Sequence, residues 1–93
     1  MEPESTLTRN PQVVARELSD AGGGVLLHLD TGAYHKLNQL GFAIWVLLDK
    51  DRTLEDLVAA VRALIADGPP ELEADVRRFV ESAVQRDLIH VAA

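Results

Sequence analysis

The hydropathy pattern of this chain changes period once, and that single change limits the folds open to it. Up to Leu37 the apolar residues fall in short strand-like runs; from Asn38 onward they recur at helical spacing. Val13-Val14-Ala15-Arg16-Glu17-Leu18, Val25-Leu26-Leu27-His28-Leu29 and Ala33-Tyr34-His35-Lys36-Leu37 read as three strands, the first with imperfect alternation. Ala21-Gly22-Gly23-Gly24 supplies a reversal between the first two. Asp30-Thr31-Gly32 is a tight-turn signal between the second and third, with Gly32 suited to a positive φ. Three short antiparallel strands in a meander account for this half.

Three helices follow. Asn38 is a good N-cap for a helix carrying Leu40, Ile44, Leu47 and Leu48, with Phe42 and Trp45 on neighbouring positions. Being apolar nearly all round, it should be the most buried element. After Asp49-Lys50-Asp51-Arg52, Thr53 caps a second helix, with Glu55 and Asp56 in its first turn where they suit the dipole. Its stripe is Leu54, Leu57, Val58, Val61, Leu64 and Ile65, and Asp67-Gly68-Pro69-Pro70 ends it. The third helix spans about 70–86 on a stripe of Leu72, Val76, Phe79, Val80 and Ala83. Leu88-Ile89-His90-Val91 reads as a docked turn or strand. Residues 1–11, with Pro3 and Pro11, read as a flexible lead-in to a single domain over 12–93. Strands segregated from helices define an α+β class: a three-stranded antiparallel sheet, then three helices, arranged like a winged helix-turn-helix.

Composition removes several functions. At 93 residues without cysteine there is no disulfide framework, thiolate metal site or cysteine nucleophile, and little room for a deep active site. No G-x-S-x-G elbow, H-E-x-x-H, P-loop or G-x-G-x-x-G is present, so the chain is not read as an enzyme and no cofactor is expected. No run approaches the ~18 apolar residues of a membrane span. The acidic start, Met1-Glu2-Pro3-Glu4, is unlike a signal peptide, which makes the cytoplasm the expected location. The net charge of −6 argues against nucleic acid. The groove-reading helix of a winged-helix DNA regulator would set Arg77, Arg78 and Arg86 against Glu71, Glu73, Asp75 and Glu81.

His28 and His35 lie on the two arms of one hairpin. A two-residue loop would set them opposite each other, within reach of one metal ion. A three-residue loop with a bulge at Gly32 would set His28 opposite Tyr34 and His35 opposite Leu27. The second register is preferred because it gathers Val25, Leu27 and Leu29 on one face with Leu37. Two imidazoles without a third ligand make a poor site, so no metal is expected. The arm Tyr34–Leu37 is a candidate sheet edge, to which an extended peptide can add as a further strand; the alternative is an edge charged only enough to avoid aggregation.

Read as one string, Leu27-His28-Leu29-Asp30-Thr31-Gly32-Ala33-Tyr34-His35-Lys36-Leu37-Asn38-Gln39-Leu40-Gly41-Phe42-Ala43-Ile44-Trp45 resembles the PqqD family. Leu47-Leu48-Asp49, the restart at Arg52-Thr53, Asp75-Val76 with Phe79-Val80, and the Leu88-Ile89 ending extend the likeness from about Val13 to Val91. Asp49-Lys50-Asp51 departs from the Asp-Gly often found after the first helix. The family comprises recognition elements for ribosomally made, post-translationally modified peptides.

The resemblance implies a leader segment added antiparallel to the third strand, in the groove with the third helix. Carried over by position, the contacts fall on Tyr34, His35, Lys36 and Leu37, and on Asp75, Val76, Arg78 and Phe79. Val76 and Phe79 are also stripe residues, for which filling the core is the alternative role. The likeness is strongest to discrete leader-binding proteins of lasso-peptide pathways, which deliver the precursor to a separate leader peptidase. The related version in pyrroloquinoline quinone biosynthesis presents its peptide to a radical enzyme. The expected state is a monomer or weak dimer, and the −6 charge implies a leader that is not strongly acidic.

Overall fold

The computed structural model describes residues 2, 4–18, 23–65 and 70–92. Nine elements follow in order: β1 (Thr6–Arg9), β2 (Val13–Glu17), β3 (Gly24–His28), β4 (Tyr34–Leu37), α1 (Gln39–Leu47), β5 (Arg52–Thr53), α2 (Leu54–Leu64), α3 (Leu72–Gln85) and β6 (Ile89–Ala92). β2, β3 and β4 form the expected antiparallel meander, in that spatial order. With the three helices this is a mixed α+β domain, compatible with a winged helix-turn-helix-like description. The glycine break at Ala21-Gly22 and the helix stop at Asp67-Gly68-Pro69 lie outside the described residues.

The capping signals act as read. Asn38 Oδ1 accepts from the Gly41 N–H at 2.8 Å and Thr53 Oγ1 from the Asp56 N–H at 3.0 Å, each supplying a partner that the first helical turn lacks. The core runs between the sheets and the helices through Leu7, Leu26, Ile44, Trp45, Leu57, Val61, Val76, Val80 and Ile89. Two stripe positions fall outside it: Leu64 is 63% and Ile65 37% exposed at the end of α2. α1 is also less enclosed than its composition suggests, since Val46 is exposed.

The segment 1–11, expected to be a loose lead-in, holds a structural strand. β1 is the central strand of a second sheet, between β5 and β6, with Leu7 fully buried. The Leu88–Val91 tail supplies β6, pairing Leu7 with Val91 and Arg9 with Ile89. Arg9 stacks 5.1 Å over the Trp45 ring and donates from Nε to the Trp45 carbonyl at 2.9 Å, binding β1 to the C-terminal end of α1.

The β3–β4 hairpin adopts neither register expected from the sequence. The His28 N–H donates to the Ala33 carbonyl at 3.0 Å and the Gly32 N–H to the His28 carbonyl at 2.7 Å, making Leu29–Gly32 a four-residue turn with Gly32 at φ 74°. Leu26 therefore faces His35, and Leu27 faces Tyr34. Burial of His28 explains this choice. The inward face carries Gly24, Leu26 and His28, so Val25 and Leu27 turn outward and Leu29 is 53% exposed.

Both ring nitrogens of His28 are hydrogen-bonded within the protein. The Asp30 N–H donates to its Nδ1 at 3.2 Å, which leaves Nε2–H to donate to Asp87 Oδ2 at 3.0 Å. Asn10 Nδ2 donates to the Asp87 carbonyl at 2.7 Å and to Oδ2 at 3.1 Å, and His90 Nε2 lies 3.1 Å from Oδ1. Asp87, in a left-handed conformation at φ 61°, thus ties together the ends of β1, β3 and β6. Among the described residues no group of three His, Cys, Asp or Glu side chains could hold a metal.

The hydrogen bond from His28, and then that from His90, hold the Asp87 carboxyl below the usual carboxylate range. A carboxyl whose folded pKa lies below its unfolded value stabilises the fold above that unfolded value, about 4. The contribution is lost as pH falls through the folded pKa. Thermal unfolding of Asp87→Asn against the parent chain is expected to show a deficit at neutral pH that narrows below about pH 4. A deficit unchanged across that range would contradict the role of the charged carboxylate.

Candidate functional site

β4 lies at the edge of its sheet, with β3 on one side only. Antiparallel ladders alternate hydrogen-bonded and open pairs. Because His28 and Ala33 form a bonded pair, His35 and Leu37 spend their backbone groups on β3. The N–H and C=O of Tyr34 and Lys36 then face the open edge.

That edge borders a groove whose other wall is α3. Lys36, Leu37 and Asn38 line one side of a depression and Phe79, Ser82, Ala83 and Arg86 the other, with buried Leu88 against both. A second depression continues it along Asn38, Leu40, Gly41, Asp75, Arg78 and Phe79. Phe79 borders both. It packs where a Cβ on Gly41 would stand 2.9 Å from its ring, so glycine at 41 lets the aromatic seat against α1. A third depression wraps the end of β4 through Leu18, Gly23, Leu37 and Leu40. Gly23 is needed there for another reason: a Cβ would lie 2.2 Å from the Leu37 carbonyl oxygen.

The residues singled out in the sequence divide by environment. Tyr34 and Lys36 are exposed, His35 is half-buried and Leu37 is buried at the groove wall. Asp75 and Arg78 form an ion pair with each other at the rim. Val76 is fully buried, fills the core and lines none of these depressions. Phe79 is a core neighbour and a groove residue at once.

Asn38, Leu40, Gly41, Ser82, Ala83, Arg86 and Leu88 line the groove without having been read as site residues. A signal for part of this set was present: Asp75, Phe79, Ser82 and Arg86 follow one another at helical spacing, along one flank of α3.

The outer face of the meander is a separate surface. Val14 stands opposite Leu27, and Leu27 opposite Tyr34, in one row across the three strands. Val14 is 47% and Tyr34 73% exposed, so this row leaves apolar area uncovered.

A three-stranded antiparallel sheet with β4 at one edge, walled by α3, thus frames the candidate site. Residues 23–89 match the family model for coenzyme PQQ synthesis protein D (PqqD), and the chain belongs to that family. Among solved structures it is similar to TbiB1, determined in complex with the TbiA(beta) leader peptide. The two share 32% identity with a TM-score of 0.74, over 89% of this chain and 94% of that one. No match was found among curated protein sequences. No helix is long and apolar enough to cross a membrane among the described residues.

Proposed function

We propose that this protein binds the leader segment of a ribosomally made precursor peptide and delivers it to a separate processing enzyme, the leader peptidase of a lasso-peptide pathway. The leader adds antiparallel to β4 and lies in the groove with α3. The observation that carries this reading is the open β4 edge beside the Phe79-walled groove, in a chain 32% identical to one solved with a leader peptide.

Four backbone groups, from Tyr34 and Lys36, are free to pair with the peptide. At about 0.5–1.5 kcal/mol net each they supply roughly 2–6 kcal/mol. Ordering a flexible peptide costs about 2–5 kcal/mol. The two nearly cancel, so affinity rests on side chains seated around Phe79, Leu40 and Gly41. Function then follows without chemistry in this chain, because a tethered core peptide meets its enzyme at an effective concentration on the order of millimolar. The exposed row Val14–Leu27–Tyr34 is apolar surface adjoining the peptide edge, which suits contact with that enzyme.

Calorimetric titration with the TbiA(beta) leader, and with a precursor encoded beside this chain, tests the proposal. Phe79→Ala and Tyr34→Ala are expected to weaken binding about tenfold, as loss of an aromatic contact does. Unchanged affinity for both folded variants would sink the groove assignment. Salt-sensitive binding of duplex DNA without peptide binding would favour a winged-helix regulator instead.

The family description supports one second reading, presentation of a peptide to a radical enzyme in coenzyme PQQ synthesis. Neighbouring reading frames separate the two: a precursor beside a protease and a cyclase, or one beside a radical enzyme.

A further inference from the structure

We propose that Gly41 sets the size of the apolar anchor that the leader groove accepts, by letting the Phe79 ring sit back against α1. The recognised leader then carries a large apolar side chain, Leu, Ile, Met or Phe, at the position facing this pair. This rests on the leader binding read above and specifies the class of peptide that such a groove takes.

Glycine is a poor choice for the helix itself. Gly41 lies in the first turn of α1, where alanine is the better helix former. Backbone freedom does not explain it either, since among the described glycines only Gly32 has a positive φ. The space above it does. A Cβ at position 41 would stand 2.9 Å from Phe79 Cε2 and 3.3 Å from Cδ2. Ordinary carbon contacts lie at about 3.5–4.0 Å, so one methyl group there requires a retreat of roughly 0.6–1.1 Å.

Neither helix is free to give way. Gly41 is buried, and its N–H is held by the Asn38 cap at 2.8 Å. The same Asn38 Oδ1 would lie 3.3 Å from the added Cβ. On α3, the neighbours Val76 and Val80 are fully buried in the core. The ring is the part that moves, and the open space beside it is the groove, because Phe79 borders both depressions. With the ring advanced, a large anchor loses its place and a small one still fits. With the ring seated, a small anchor leaves the walls without contacts, so the large one is preferred.

Selection of short random peptides, displayed on their encoding RNA, against the full chain reads the anchor size directly. The parent chain is expected to enrich one position for Leu, Ile, Met or Phe. Gly41→Ala should keep the rest of the selected pattern and move that position to Val or Ala, with thermal unfolding to show that the variant is folded. Phe79→Leu, with its shorter side chain, should move the preference the other way, toward Tyr or Trp. In calorimetry with the best peptide of the parent, Gly41→Ala should weaken binding about fivefold or more when Phe79 is present. In the Phe79→Leu background the same change should weaken it less than about twofold, as expected of residues coupled by contact. An unchanged anchor size on folded Gly41→Ala, recovery of no peptide by that folded variant, or equal losses in the two backgrounds would overturn the size-setting role and leave leader binding intact. If Gly41→Ala does not fold, an unchanged preference of Phe79→Leu overturns it instead. Recovery of no peptide by the folded parent chain would overturn both.

Discussion

Lys36→Pro is expected to weaken leader binding about tenfold or more while the folded chain keeps most of its stability. The argument lies in the register. Lys36 stands opposite Val25 in an open pair of the β3–β4 ladder, so its N–H points away from β3. Proline there removes no hydrogen bond of the fold, and edge strands tolerate proline whose nitrogen faces outward. The incoming peptide loses a donor, and its own carbonyl meets the ring instead. An unmade bond of this kind costs about 1–3 kcal/mol, and each 1.4 kcal/mol is about tenfold in affinity.

His35→Pro is the matched control. His35 sits opposite Leu26 in a bonded pair, so the substitution breaks the ladder itself and should unfold the hairpin. Calorimetry and thermal unfolding on both variants read the two effects separately. If Lys36→Pro binds the leader as the parent does, the peptide does not add to β4. If His35→Pro is as stable as the parent, the register is wrong.

The second large effect lies in the fold. Leu7→Ala is expected to cost about 2–5 kcal/mol, the range for a fully buried leucine that leaves a cavity. Domains of this size are stable by about 5–15 kcal/mol in total, so the loss is a large fraction of the whole. At about 4–8 °C per kcal/mol, the melting temperature should fall by roughly 10 °C or more. A flexible lead-in would give no such effect. Leu7 does, because it is fully buried in the central strand of the β5-β1-β6 sheet. A melting temperature within a degree or two of the parent would contradict the second sheet.

These positions also mark where the sequence was legible. Asn38 and Thr53 were readable as caps because capping is a local bond between a side chain and an N–H a few residues on. The stripes of α2 and α3 were readable because periodicity repeats over several turns, and Leu54, Leu57, Val58, Val61, Leu72, Val76, Val80 and Ala83 are buried as expected. The β1 strand was not, since Thr6–Arg9 is short and its partners lie about 45 and 80 residues away at Arg52 and Ile89. The hairpin register was missed for a related reason. Gathering Val25, Leu27 and Leu29 inward is sound as a local rule. It fails because a histidine takes the inward position, and that histidine is satisfied by Asp87, which is remote in sequence.

The candidate site shows the same division. The candidate edge strand follows from turn chemistry, and the groove role of Phe79 from the family resemblance, since helical spacing by itself makes it a stripe residue. That Val76 is core while Phe79 also lines the groove depends on how α3 is rotated against β4.

By itself the sequence determined the α+β class, the strand-to-helix change at Leu37, the helix starts and the family likeness, because these rest on neighbours along the chain. Only the tertiary structure decided the second sheet, the four-residue turn, the outward row Val14–Leu27–Tyr34 and the groove between β4 and α3. Each depends on groups brought together from distant positions, and a chain's local chemistry does not say which of its buried polar groups will meet.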